Sequence, residues 1–108
     1  MSARLATGFW VAAYLQRLGA AAIPAHLVAK GDPMAGAVLV KIATLDGKAR
    51  AFARRTGPEG RVWMELASGD EADVDASIAR QRGFDPDLWV IEVEDRAGRS
   101  LLDEPGLE

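Results

Sequence analysis

Residues 84–95, Phe-Asp-Pro-Asp-Leu-Trp-Val-Ile-Glu-Val-Glu-Asp, decide the local architecture of this chain. A polar turn built on Pro86 leads into one short strand, because proline fixes the chain direction and the flanking aspartates accept turn hydrogen bonds. Charged residues appear only at the far end of the strand. The stretch predicts a final β-strand that follows directly on a turn, and it identifies no reaction.

The rest of the chain alternates between helical and strand patterns. Apolar residues at helical spacing predict a first helix near residues 7–18, and a capping box predicts a second helix near residues 68–83. Between them we expect a short strand at residues 27–28 and a three-stranded meander over residues 36–67. Its first turn, Asp46-Gly47, is a strong hairpin signal.

The order α-β-β-β-β-α-β predicts a two-layer α+β domain with about five mainly antiparallel strands and both helices on one face of the sheet. The second helix makes a crossover, so the last strand is free to run parallel to one neighbour. Alternation along the strands divides their residues between a helix-covered face and a polar face. We expect the covered face to hold Val38, Val40, Ile42, Val62, Met64, Leu66, Trp89, Ile91 and Val93.

Length and composition indicate a single domain, residues 1–108, with an ordered core at about 5–97 and a frayed acidic C-terminal tail. The chain has 108 residues, of which 49% are hydrophobic and 27% charged, as in ordinary globular proteins. Its net charge of −3 makes general attraction to nucleic acid or anionic lipid unexpected. A local basic stripe is the alternative, built from Lys41, Arg50, Arg54 and Arg61.

The chain contains no cysteine, which excludes disulfides and thiolate chemistry and is typical of a reducing compartment. The apolar run from Phe9 to Leu15 is too short for a signal peptide, and no segment has the length of a membrane span. We therefore expect a cytoplasmic protein without membrane contact.

No constellation of residues predicts catalysis. The one histidine, His26, has no acid or nucleophile in a recognisable motif, and the glycines form no phosphate-binding pattern. The carboxylates near residues 70–75 fit a helix N-terminus and do not have calcium-loop spacing. We expect no catalytic residues, no cofactor and no metal.

Two surfaces remain as candidates for binding. Trp63 is predicted on the polar face, where a tryptophan is either covered by a partner or marks a binding patch. Near the 84–95 stretch, arginines lie close in sequence to aspartates that flank a rigid proline; surface ion pairing is the plain alternative. The candidate ligand or partner surface comprises Trp63, Arg80, Arg82, Asp85, Asp87, Trp89 and Glu92.

Several of these motifs together resemble a known family. They are Trp10, the turn Lys30-Gly31-Asp32-Pro33 before Ala35-Gly36-Ala37-Val38, the hairpin Leu45-Asp46-Gly47, and the run Phe84-Asp85-Pro86-Asp87-Leu88-Trp89-Val90 with Glu92 and Glu94-Asp95. The chain resembles, over roughly residues 5–103, a family of short bacterial proteins catalogued as a domain of unknown function. The resemblance implies no activity, cofactor or catalytic residue.

Our leading hypothesis is a small non-enzymatic domain that binds another protein or itself. The rival hypothesis is a small-ligand binder or enzyme centred on residues 80–89. There an arginine would hold a small anionic group, a carboxylate would act as base, and Trp89 would line the pocket.

Overall fold

The computed structural model describes residues 6–57 and 60–104, and the side chains within them apart from those of 55–57, 60 and 61. Its helices and strands follow the predicted order along the chain. No helix in these ranges is long and apolar enough to cross a membrane. The elements are α1 (Thr7–Ala20), β1 (Ala25–Ala29), β2 (Val38–Ala43), β3 (Lys48–Gly57), β4 (Gly60–Asp70), α2 (Glu71–Phe84) and β5 (Trp89–Glu94).

The five strands form one sheet in the order β1-β5-β2-β3-β4. β5 lies between β1 and β2, parallel to β2 and antiparallel to β1. The β2–β3 and β3–β4 pairs are both antiparallel. The α+β class, the order of the elements and the mainly antiparallel sheet are confirmed.

The two helices lie on opposite faces of this sheet. α1 packs on Val40 and Ile91, whereas α2 packs on Leu39 and Val90, and consecutive strand residues point to opposite faces. The prediction that both helices cover one face is therefore wrong, and the domain has three layers. β2 and β5 are interior strands that are apolar on both faces, and such strands need cover on both sides.

A bulge sets which residues of β4 face which helix. Ala51 pairs with Ala67 and Phe52 pairs with Glu65, so Leu66 has no partner on β3. Because of this extra residue, the side chains on one side of the bulge point to the opposite face of the sheet from the one they would have in a regular ladder. Before the bulge, Trp63 lies on the α1 face, while Val62 and Met64 lie on the α2 face and are exposed, the reverse of the prediction.

The loop before β2 is held closely against the start of β5. A Cβ on Gly31 would lie 2.1 Å from the carbonyl oxygen of Asp87, and one on Gly36 would lie 2.3 Å from the same atom. The Asp32 N–H donates to that carbonyl at 3.0 Å, and Trp89 Nε1 donates to the Asp32 carbonyl at 2.8 Å. Only glycine allows the backbone to approach this closely.

The described part of the C-terminal tail packs against α1. The Tyr14 hydroxyl donates to the Ser100 carbonyl at 2.7 Å, and Leu101 and Leu102 pack against the α1-side core. The prediction of fraying from about residue 98 is wrong as far as Leu102. The last predicted tail residues, 105–108, lie outside the described residues.

Candidate functional site

Trp89 and Leu88 are neighbours in the chain but face opposite sides of the sheet. Trp89 is 4% exposed and belongs to the core under α1, where its ring lies against the loop that contains Gly31. Leu88 belongs to the core under α2. Because consecutive strand residues face opposite sides of the sheet, Trp89 and Leu88 cannot line the same pocket. Trp89 instead anchors the loop before β2.

The charged residues around the turn before β5 do not form ion pairs with one another among the described contacts. Arg80 Nη2 donates to Ser77 Oγ at 3.0 Å on the exposed side of α2, and Arg82 is exposed as well. Asp85 Oδ1 accepts the backbone N–H of Asp87 at 3.0 Å, which closes the turn. The structure does not bring these arginines and aspartates together into one site.

Trp63 is covered by the protein's own first helix. Its ring centroid lies 5.6 Å from that of Trp10, which stacks on Tyr14 at 5.0 Å. Trp63 remains half-buried, and the Arg54 guanidinium lies 4.8 Å from the Trp10 ring centroid. The sequence predicts Trp63 either under a partner or in a binding patch, but the bulge turns it toward α1, where Trp10 covers part of it.

Glu92 belongs to a group of carboxylates around a buried lysine. Lys41 Nζ lies 2.7 Å from Glu71 Oε2 and 2.7 Å from Asp75 Oδ1, both on α2. It lies 3.2 Å from Glu92 Oε1 on β5, and only 5% of the Lys41 side chain is exposed. Burial by itself lowers the pKa of Lys41, but the hydrogen bonds to the carboxylates outweigh burial and hold that pKa above its ordinary value. We interpret the group as an ion-pair network that fastens α2 to the sheet.

The basic residues considered for nucleic-acid binding are divided between the two faces. Lys41 faces α2, whereas Arg50 pairs with Ile42 across the β2–β3 ladder and so shares the α1 face. Arg50 Nε donates to Glu65 Oε1 at 2.8 Å. The side chain of Arg61 lies outside the described residues. A single stripe through Lys41 and Arg50 is therefore wrong.

An exposed apolar surface lies on the α2 face of β4. Val62 and Met64 are 45% and 51% exposed, two residues apart on one strand. Beside them is a hollow of about 210 Å³ between the sheet and the C-terminal end of α2. Met64 pairs with Ala53, which lines this hollow, and the last residue of α2, Phe84, is 83% exposed. We define the β4 surface as Val62, Met64 and the hollow, whose lining includes Ala53, Leu66, Gln81, Asp85 and Leu88.

The edge of β4 is open in the described part of the chain. β4 is the last strand of the sheet, and within the described β-ladders residues 60–62 pair with residues 55–57, which have no partner on β2 there. The other edge strand, β1, has only five residues and a bulge between Leu27 and Ala29. Short, bulged edges resist pairing, whereas β4 has 11 residues and its bulge lies outside residues 60–65.

One predicted site residue, Asp85, lies on this surface, and sequence reasoning missed most of the rest. The sequence predicts Val62 and Met64 in the core. A strand pattern shows which residues share a face of the sheet, but it does not show which face the helices cover. The Gly57-Pro58-Glu59-Gly60 turn was the available signal for a projecting hairpin. Within the described residues, no three His, Asp or Glu side chains are placed to hold a metal ion.

Comparison with known proteins identifies the family. The family model described as "Protein of unknown function (DUF1491)" matches residues 5–103. The chain matches no protein of curated function. A crystal structure of a DUF1491 family protein from Caulobacter crescentus CB15 is 45% identical, with a TM-score of 0.83, and the match covers 94% of this chain and 95% of that one.

Two solution structures are also similar. An NMR structure of a DUF1491 family protein from Caulobacter crescentus CB15 is 43% identical with a TM-score of 0.83, covering 96% of this chain and 97% of that one. Protein Atu0922 from A. tumefaciens is 28% identical with a TM-score of 0.74, covering 85% and 86%. The resemblance inferred from the sequence motifs is confirmed. This chain belongs to the DUF1491 family of proteins of unknown function.

Proposed function

We propose that this domain is a protein-binding module without catalytic activity and that the β4 surface is its contact site. The observation that carries the proposal is the exposure of Val62 and Met64 on an open edge strand beside a hollow lined by both apolar and polar residues. Exposed apolar groups next to a concavity are typical of protein contact sites. Main-chain groups along an open edge add hydrogen bonds that a partner strand can satisfy.

The size of the hollow supports a side chain as its occupant. Its volume of about 210 Å³ lies below the range of about 300–1,000 Å³ usual for small-molecule pockets. A single apolar or aromatic side chain from a partner would fill it, as buried anchors do at interfaces.

Site-specific photocrosslinking in the native cell tests the proposal. A photoreactive amino acid in place of Met64 should yield crosslinked protein adducts, because this position lies in the proposed contact. The same group in place of Gln16, which is exposed on α1, is the matched control and should yield none. Equal yields at the two positions would contradict the assignment of the contact site.

A small-ligand site is the second proposal, and the polar groups of the hollow favour it. Asp85 and Gln81 line the hollow, while Arg80 and Arg82 lie on exposed positions of the same helix. A ligand that prefers the folded state raises its melting temperature. A screen of metabolites that carry a cationic group or a hydrogen-bond donor for the Asp85 carboxylate should raise the melting temperature of the wild type but not of Asp85→Asn. If no compound shifts the wild type, the second proposal fails.

We also propose that the protein acts in the cytoplasm. The absence of cysteine from all 108 residues supports a reducing compartment. Fractionation of native cells with an antibody to the chain is the test, and recovery outside the cytoplasmic fraction would contradict it.

A further inference from the structure

We propose that the partner of the β4 edge is a second copy of this chain, paired antiparallel about a two-fold axis at Trp63, so that two sheets join into one. This inference rests on the proposed function and names the occupant of its open edge. In the joined sheet, Val62 of one copy lies opposite Met64 of the other.

The open edge of β4 has a short regular stretch at residues 67–70 and a longer one before the bulge. The β3–β4 turn ends the longer stretch on one side at Gly60, and the bulge at Leu66 ends it on the other. Between them β4 pairs with β3 without interruption. Two copies of such a stretch overlap most fully when the axis passes near its middle, which is Trp63.

The residues of this stretch match one another in that register. With the axis at Trp63, the exposed apolar residues Val62 and Met64 face each other across the joint on the α2 face. Arg61 and Glu65 also occupy opposite positions, so each copy supplies one positive and one negative residue. Glu65 already accepts a hydrogen bond from Arg50 of its own chain, and its second carboxylate oxygen can accept from Arg61 of the other copy. Opposite charges across antiparallel strands stabilise the pair, and like charges weaken it.

The neighbouring registers lose this match. An axis at Met64 places Arg61 opposite Ala67 and Trp63 opposite Glu65, whereas an axis at Val62 places Met64 opposite Gly60. A two-fold interface must be complementary to itself, because the same strand supplies both sides. The charge pattern of β4 therefore selects the axis at Trp63.

Pairing would also support a projecting part of the sheet. Residues 55–57 and 60–62 extend past the end of the β2–β3 ladder, and within the described β-ladders they pair with each other. A two-stranded ribbon alone is only marginally stable, and a third strand adds support. A second copy supplies that strand.

Disulfide mapping tests the register directly, since the chain has no cysteine of its own. Directly opposite residues lie about 4.5–5.5 Å apart between Cα atoms, within disulfide reach. Purified Val62→Cys and Met64→Cys chains should crosslink rapidly when mixed and mildly oxidised. Each chain alone should crosslink slowly, because two copies of the same residue would be about 8 Å apart. Leu27→Cys on the β1 edge is the control and should not crosslink with either chain.

Charge reversal provides the second test, with sedimentation velocity at low salt as the readout. Arg61→Glu alone and Glu65→Arg alone each place like charges opposite at two symmetric points. Each should raise the dimer dissociation constant about tenfold or more. Mixing the two variants restores opposite charges at both points, so the mixture should form dimers with a dissociation constant about tenfold or more below that of either variant alone. The variants are the reference because Glu65→Arg also removes the hydrogen bond from Arg50 within its own chain.

The outcomes separate this inference from the proposed function. A wild type that sediments as a monomer at every concentration, or single-cysteine chains that crosslink as fast as the mixture, would overturn pairing about Trp63. If Met64 then photocrosslinks to a different protein in the cell, the contact site stands and only its occupant changes. If Met64 gives no adduct above the Gln16 control, the proposed function fails together with the inference.

Discussion

Gly31→Ala should destabilise this domain strongly, because the added methyl group has no space. Its Cβ would lie 2.1 Å from the Asp87 carbonyl oxygen and 2.6 Å from Trp89 Cδ1. The first contact is with backbone, so the loop before β2 must move away from β5. That movement stretches the hydrogen bonds from Asp32 N–H to Asp87 and from Trp89 Nε1 to Asp32.

The magnitude follows from these contacts. Overpacking costs about 1–3 kcal/mol, and each weakened hydrogen bond adds about 0.5–1.5 kcal/mol. We expect Gly31→Ala to lower the free energy of unfolding by about 3 kcal/mol. For a domain of this size, that corresponds to a fall in melting temperature of about 12–24 °C.

Urea unfolding followed by tryptophan fluorescence measures the change, and two other glycines supply matched controls. Gly19 in α1 and Gly83 in α2 have no atom within 4 Å of an added Cβ. At these helical positions alanine should stabilise the protein by about 0.5–1 kcal/mol. A Gly31→Ala protein within about 0.5 kcal/mol of the wild type would refute the close approach of loop and strand.

Three further predictions concern the charged groups and the aromatic core. Lys41→Met should lower the free energy of unfolding by about 1–3 kcal/mol, because it leaves three carboxylates facing one another without a cation. Chemical denaturation measures the loss, and a variant as stable as the wild type would contradict it. Stability should fall as pH rises above about 10, since burial raises the pKa of Tyr14, and the carboxylates raise that of Lys41 despite its burial. Both side chains have a higher pKa in the folded protein than in the unfolded chain. Their contribution to stability is therefore complete below about pH 10 and is lost as they release their protons at higher pH. Tyr14 is the only tyrosine, and its ionisation, followed by absorbance, should coincide with unfolding rather than precede it. Trp63→Ala should cost about 2 kcal/mol in thermal unfolding through lost packing on Trp10, and an unchanged melting temperature would contradict that packing.

The candidate site was predictable only in part. The sequence indicates Trp63 on β4 and Asp85 before β5 as candidate site residues, and Asp85 does line the hollow. Trp63 proved to be packed on Trp10, because the unpaired Leu66 reverses the facing of β4. A bulge leaves no sequence signal comparable to a turn, so the exposure of Val62 and Met64 was not predictable.

Local chemistry, by itself, determined the elements of this protein and their order. Proline and aspartate predict the turn before β5 and Asp46-Gly47 predicts a hairpin. Apolar spacing predicts the first helix and the Ser-x-x-Glu pattern the second, since each signal acts over a few residues.

Tertiary structure alone decided which strands became neighbours and which faces were covered. β5 inserts between β1 and β2, which makes both central strands interior, places α1 and α2 on opposite faces and buries Lys41 among carboxylates. The physical reason is that every strand offers the same kind of backbone donors and acceptors, so hydrogen bonding by itself does not select a partner strand. Pairing is therefore chosen by the burial of the whole apolar surface, which no short stretch of sequence contains.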